Sequence, residues 1–151
     1  MADKRVVVKH SNRPSREYAT LMKLHAINGC PEAIVAPLMG NDYLLVTPLG
    51  DPLGMAPDLA ASEACRLLHD VATALEFASD NGVLHCDVSY GNIVKCGSQG
   101  VLIDWHVARS ASETVEGLQI GTTLFCSTKT GLPDHKHSVA VCACSCVVCS
   151  Q

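Results

Sequence analysis

The chemistry most legible in this chain centres on oxygen ligands. Asn92 and Asp104 lie six residues either side of Ser98, in a segment that reads as a β-hairpin turning over residues 97–100. A hairpin brings such positions together at its open end, so an amide oxygen and a carboxylate converge there. One carboxylate with few other hard protein oxygens suits Mg²⁺ that is also held by the phosphates of a substrate. Asp87 stands five residues before Asn92, in the loop that enters the hairpin.

Several elements must position these side chains. Residues 5–9 are a β-branched run that predicts a strand, broken by residues 11–14 before a short helical pattern over 16–25, where Leu21 and Leu24 follow Glu17. Residues 28–31 (Asn-Gly-Cys-Pro) end that helix, and residues 33–38 and 43–47 read as two strands joined by the turn Gly40-Asn41-Asp42. Residues 48–57 hold three prolines and two glycines, a linker composition and a place for a domain boundary. The clearest helix follows over 62–80, with Ser62 as N-cap, Leu67, Leu68, Val71, Leu75 and Ala78 on one face, and Asn81-Gly82 as its end. Beyond Ala108 the periodicity fades into Ser, Thr and Gly.

Composition sets the frame for these elements. The 151 residues are 48% hydrophobic with a mean hydropathy of +0.20, enough for a buried core. Aromatics are only 4%, so that core rests on Ala, Val and Leu. The net charge of -4 hides an asymmetry, since residues 1–25 hold six Lys or Arg against two acids and the remainder five against thirteen. This balance argues against nucleic acid as a partner. Neither a signal peptide nor a membrane span is visible, which points to an intracellular, cytoplasmic protein.

The run His85-Cys86-Asp87-Val88-Ser89-Tyr90-Gly91-Asn92 has the spacing of the protein kinase catalytic loop, His-Arg-Asp followed five residues later by Asn. Asp104-Trp105-His106 stands where Asp-Phe-Gly belongs, Val6-Val7-Val8-Lys9 resembles the Val-Ala-Ile-Lys strand, and Gly121-Thr122 follows at an activation-segment distance. The chain therefore resembles the protein kinase-like superfamily over about residues 5–130. Residues 47–53, 87–93 and 121–125 look closest to the fungal-type protein kinases.

The resemblance implies an α+β, bilobal kinase-like fold, incomplete at both ends. Residues 1–50 would form a partial β-rich small lobe. Residues 51–130 would form a partial large lobe with catalytic loop and activation segment, and residues 131–151 a Cys-rich unstructured tail. It also implies site roles. Lys9 would hold the α- and β-phosphates of ATP with Glu17 orienting it, and Thr47 would lie at the rear of the adenine pocket. Asn92 and Asp104 would hold Mg²⁺, while Asp87 would orient the hydroxyl of a protein substrate. Taken alone, Lys9 reads as a solvated strand-edge cation and Glu17 as a first-turn acid facing the helix dipole. As a pair they are expected to be partly exposed and worth about 0–1 kcal/mol to stability. His85 reads as a structural brace for the loop.

This sequence departs from the pattern at several positions. Cys86 replaces an Arg that commonly receives an activation-loop phosphate, Ser89 replaces a Lys, His106 replaces a Gly, and no Gly-x-Gly-x-x-Gly precedes Lys9. The expectation is a kinase-like enzyme that transfers phosphate to Ser or Thr but is impaired by truncation. The apolar face of the helix over 62–80 would then be left open to a partner protein. Two other functions compete: a non-catalytic pseudokinase fragment that binds partners, and a small-molecule phosphotransferase of the aminoglycoside or choline kinase type. Gly121-Thr122 favours the protein kinase.

Of nine cysteines, Cys30, Cys65, Cys86, Cys96 and Cys126 are scattered without framework spacing and read as reduced thiols. Cys142, Cys144, Cys146 and Cys149 crowd into the last ten residues. Soft-metal binding and a non-native or unstructured terminus are the two readings of that cluster.

Overall fold

The computed structural model describes residues 6–10, 16–37, 44–55 and 58–112. The activation-segment residues Gly121 and Thr122 and the cysteine cluster at 142–149 lie outside the described residues, as do the side chains of Lys9 and Thr47.

Strand β1 (Val6–His10) pairs antiparallel with β2 (Leu44–Pro48), with Lys9 opposite Leu45 and Val7 opposite Thr47. Between them runs helix α1 (Arg16–His25), as the spacing predicts. Leu21 and Leu24, three residues apart, turn the same face inward and are both fully buried. Among the described residues, 33–37 do not pair with 44–47. The Ala33-Ile34-Val35 stretch instead lies buried alongside the later strand β6 (Gln99–Leu102), where Leu102 N–H donates to the Ala33 carbonyl at 2.8 Å. With β1 taken as the partner of β2, this apolar run is satisfied by burial and one parallel bridge, not by a ladder of its own.

Residues 48–55 are built into regular structure, beyond what their linker composition suggests. Strand β3 (Asp51–Pro52) pairs antiparallel with β5 (Ile93–Cys96), and β5 pairs with β6 in a sheet of order β3-β5-β6. Proline is tolerated in β3 because this is an edge strand, where a missing N–H breaks no inner ladder. Gly50 permits the approach: a Cβ there would stand 2.7 Å from the Cys96 sulfur and 2.7 Å from the Lys95 carbonyl.

Helix α2 (Ala61–Asp80) is the longest element, and its residues explain it. No Gly or Pro interrupts it, and Leu67, Val71, Ala74, Leu75 and Ala78 recur at i, i+4, i+7, i+8 and i+11 on one buried face. Each buried Leu or Val on that face contributes about 1.5–3 kcal/mol relative to exposure. The expectation of an apolar face left open to a partner is corrected here, because β4 (Val83–Leu84), β6 and the segment after them cover it. Ser62 is likewise not the N-cap. Ala60 occupies that position with no side-chain bond, its carbonyl accepting from the N–H groups of Glu63 and Ala64 at 2.9 Å.

At the other end, Asn81 donates through its side chain to the Phe77 carbonyl at 2.8 Å, and Gly82 takes the left-handed φ of +73° that ends the helix as predicted. Strand β4 then pairs with β7 (Arg109–Ser110). The closest approach in the fold is α2 against β6. A Cβ on Gly100 would collide with the Leu67 backbone, and Gly100 N–H donates to the Asp70 carboxylate at 3.0 Å. One contiguous core links α1, residues 33–35, α2, β4, β5, β6 and Trp105.

Candidate functional site

The hairpin turns more tightly than the spacing suggests. Only Gly97 and Ser98 form the turn, with Gly97 at φ +63°, and β6 begins at Gln99. The register therefore shifts by one: Asn92 stands opposite Ile103, whose N–H donates to the Asn92 carbonyl at 2.9 Å. Asp104 comes one residue beyond the ladder. Its backbone is left-handed, φ 65° and ψ 61°, a conformation costly for a side chain with a Cβ and one that concentrates at functional sites. Cys86 is the other residue besides glycine with positive φ among the described residues, at 67°. Both departures from ordinary backbone thus flank the predicted site.

The loop brings Asp87 and Asn92 into hydrogen-bond contact. Asn92 Nδ2 donates to the Asp87 carbonyl at 2.8 Å and to Asp87 Oδ2 at 2.9 Å. Two acceptors fix which end of the amide faces Asp87, so the carbonyl oxygen Oδ1 is the end turned away from it.

His85 braces the loop in the structural role expected of it. Its Nε2–H donates to the Ile103 carbonyl at 3.1 Å, while Nδ1 accepts the Asp87 N–H at 3.2 Å. One ring thereby ties the loop to the hairpin's far strand and uses the neutral tautomer to do it. Burial pushes its pKa down to about 4, outweighing the upward pull of the Ile103 carbonyl and the Asp87 and Asp104 carboxylates.

Trp105 is the residue whose importance the sequence pattern understates. It is fully buried, its indole N–H donates to the Leu102 carbonyl at 3.1 Å, and its ring stands edge-on to His85 with centroids 4.6 Å apart. Its backbone N–H donates to Glu17 Oε1 at 3.0 Å. Glu17 is only 2% exposed, which corrects the expectation of a partly exposed acid. A buried carboxylate survives only with donors around it, and the Trp105 N–H is one of them. The pairing of Glu17 with Lys9 lies outside the described side chains, as does the placement of Thr47.

On the other side of Trp105, His106 Nδ1 stands 2.8 Å from Asp104 Oδ1, with the His side chain 51% and the Asp side chain 32% exposed. The kinase-like motif marks this histidine only as a departure, standing where Gly belongs; its i+2 spacing from an acid in a tight turn is the signal that points to the pairing.

Among the described residues no three His, Cys, Asp or Glu side chains cluster as a self-sufficient metal centre. The donor set fits a cation shared with phosphate oxygens, which takes one or two protein carboxylates and completes its shell from substrate and water. In such a site Asp104 would supply the carboxylate and Asn92 Oδ1 the amide oxygen.

No protein-family model matches the chain, and no curated protein does. Among solved structures it is similar to the Cydia pomonella granulovirus kinase PK-1, with a TM-score of 0.63 at 21% identity, over 84% of this chain. The similarity covers 51% of the viral kinase, so the chain spans about half the length of that protein. Together with the loop and hairpin geometry, this shows that the chain has a protein kinase-like α+β fold.

Proposed function

We propose that the chain binds Mg-ATP and transfers the γ-phosphate to a Ser or Thr hydroxyl of a protein substrate. The observation that carries this reading is the 2.9 Å tie between the Asp87 carboxylate and the Asn92 amide, in a loop that His85 fastens to the strand leading into Asp104. Phosphoryl transfer is mostly positioning and electrostatics, so a rigidly held acceptor beside a metal-binding carboxylate is the arrangement it needs.

In this reading Lys9 contacts the α- and β-phosphates, Glu17 orients it, and Thr47 borders the adenine. Asp104 and the Asn92 carbonyl oxygen hold the cation, and bound Mg²⁺ supplies charge neutralisation on the phosphate oxygens. Asp87 accepts the hydrogen bond of the substrate hydroxyl and takes its proton as the new oxygen–phosphorus bond forms and ADP leaves. The Glu17 bond to the Trp105 amide supports the orienting role, since it ties α1 to the residue next to Asp104.

The test is calorimetric titration of the folded chain with Mg-ATP, followed by radiolabelled transfer to a generic protein substrate. Asp104→Asn is expected to lose metal-dependent nucleotide binding. Asp87→Asn is expected to keep binding while transfer falls by about 10²-fold or more. Absence of Mg-dependent binding by the native chain, or transfer unchanged in Asp87→Asn, overturns the reading.

A further inference from the structure

We propose that His106 is a direct nitrogen ligand of the cation that Asp104 holds, and that it biases the site toward Mn²⁺ and the later first-row divalent cations over Mg²⁺. The inference rests on the metal-binding reading given above and deepens it. His106 Nδ1 and Asp104 Oδ1 are 2.8 Å apart. Two ligands at right angles on an octahedral ion, each with a bond of about 2.1 Å, stand about 3.0 Å apart. The pair thus already has the separation of neighbouring ligands on one ion.

The backbone holds that separation. Trp105, between them, is fully buried and bonded through its amide and indole N–H groups, and a tight 3-10 turn follows from Trp105 to Val107. The left-handed conformation at Asp104 turns its carboxylate out of the ladder on the same short stretch. His106 is the more open of the two, its side chain 51% exposed. With Nδ1 donating to Oδ1 the ring proton lies between the two side chains. Ligation requires it on Nε2, leaving the Nδ1 lone pair for the ion. An imidazole nitrogen in place of a water ligand raises affinity along the order from Mn²⁺ upward, while Mg²⁺ keeps its preference for oxygen.

The experiment titrates the full chain with Mn²⁺ alone, following loss of the free-ion electron paramagnetic resonance signal, then displaces it with Mg²⁺. Electron spin-echo modulation on the bound Mn²⁺ reports whether an imidazole nitrogen is coordinated. The native chain is expected to show nitrogen modulation and a Mn²⁺ preference that falls about tenfold in His106→Ala, with modulation lost. Circular dichroism confirms that the variants fold. Bound Mn²⁺ without nitrogen modulation, or an unchanged preference in His106→Ala, overturns the role of His106. If Asp104→Asn lowers affinity in that case, the Asp104 cation site itself still stands. Mn²⁺ uptake unaffected by Asp104→Asn, or no uptake by the native chain, overturns both.

Discussion

The loop over residues 85–92 and the turn over residues 104–107 touch through the His85 and Trp105 rings, yet they are held in different ways. In the loop the His85 ring is turned inward, 1% exposed with both nitrogens bonded, and the Asn92 amide nitrogen is committed to Asp87. In the turn Trp105 is anchored through its amide and indole N–H groups, while the Asp104 and His106 side chains meet each other and are 32% and 51% exposed. The loop's geometry is therefore part of folding stability. The half-exposed His106 side chain is nearly independent of it, which is the condition for a group that must exchange its hydrogen bond for a ligand. Rigid acceptor and adjustable ligand stand side by side because one indole separates them.

The sharpest way to break this division is to remove the indole. Trp105→Ala is expected to cost about 3–5 kcal/mol in urea unfolding followed by far-ultraviolet circular dichroism, the usual range for a buried large-to-small aromatic change. A loss under about 1 kcal/mol would mean that loop and turn are not joined through it.

A second effect comes from acid. The His85 pKa falls from an ordinary 6.5 to about 4 because it is buried, so the unfolded chain binds this proton first. Stability from this group is fully present above about pH 6.5 and is lost as pH falls toward about 4, by up to about 3 kcal/mol. Denaturant unfolding across that window, with His85→Gln as the reference, should show the slope in the native chain and a shallower one in the variant. Equal slopes would remove His85 from the account.

The smallest effect belongs to the turn. His106→Ala should change stability by no more than about 0.5 kcal/mol, because an exposed Asp–His pair is worth little in water. A loss several times larger would place His106 with the loop and end the contrast.

The elements legible in the sequence are those whose signal is local. Helices α1 and α2 repeat apolar residues at helical spacing over ten or more positions, and Asn81-Gly82 is a stop readable from its own chemistry. The placing of Asp87 and Asn92 in one loop is legible from their spacing, but their hydrogen bond is not, because five residues of chain can also run extended. What sequence spacing misplaces depends on partners far along the chain. Strand β3 has two residues and no periodicity, and it exists because β5 offers an edge. Residues 33–35 look like a hairpin strand until β6 competes for them. The one-residue register error came from the turn, where Gly97-Ser98 and Gly97-Ser98-Gln99-Gly100 are both acceptable chemistry. Glu17 was expected at the surface because an acid in a first helical turn ordinarily faces water. Only the arrival of Trp105, 88 residues later, buries it.

Trp105 is also the only tryptophan in the chain. Its emission is therefore that of a single indole, sealed from water, edge-on to an imidazole and one peptide bond from Asp104. An indole in such surroundings emits toward the blue and is quenched when a neighbouring imidazole gains a charge or a paramagnetic ion settles close by. The protein thus carries a built-in optical probe, without labelling, at the junction of the loop over residues 85–92 and the turn over residues 104–107.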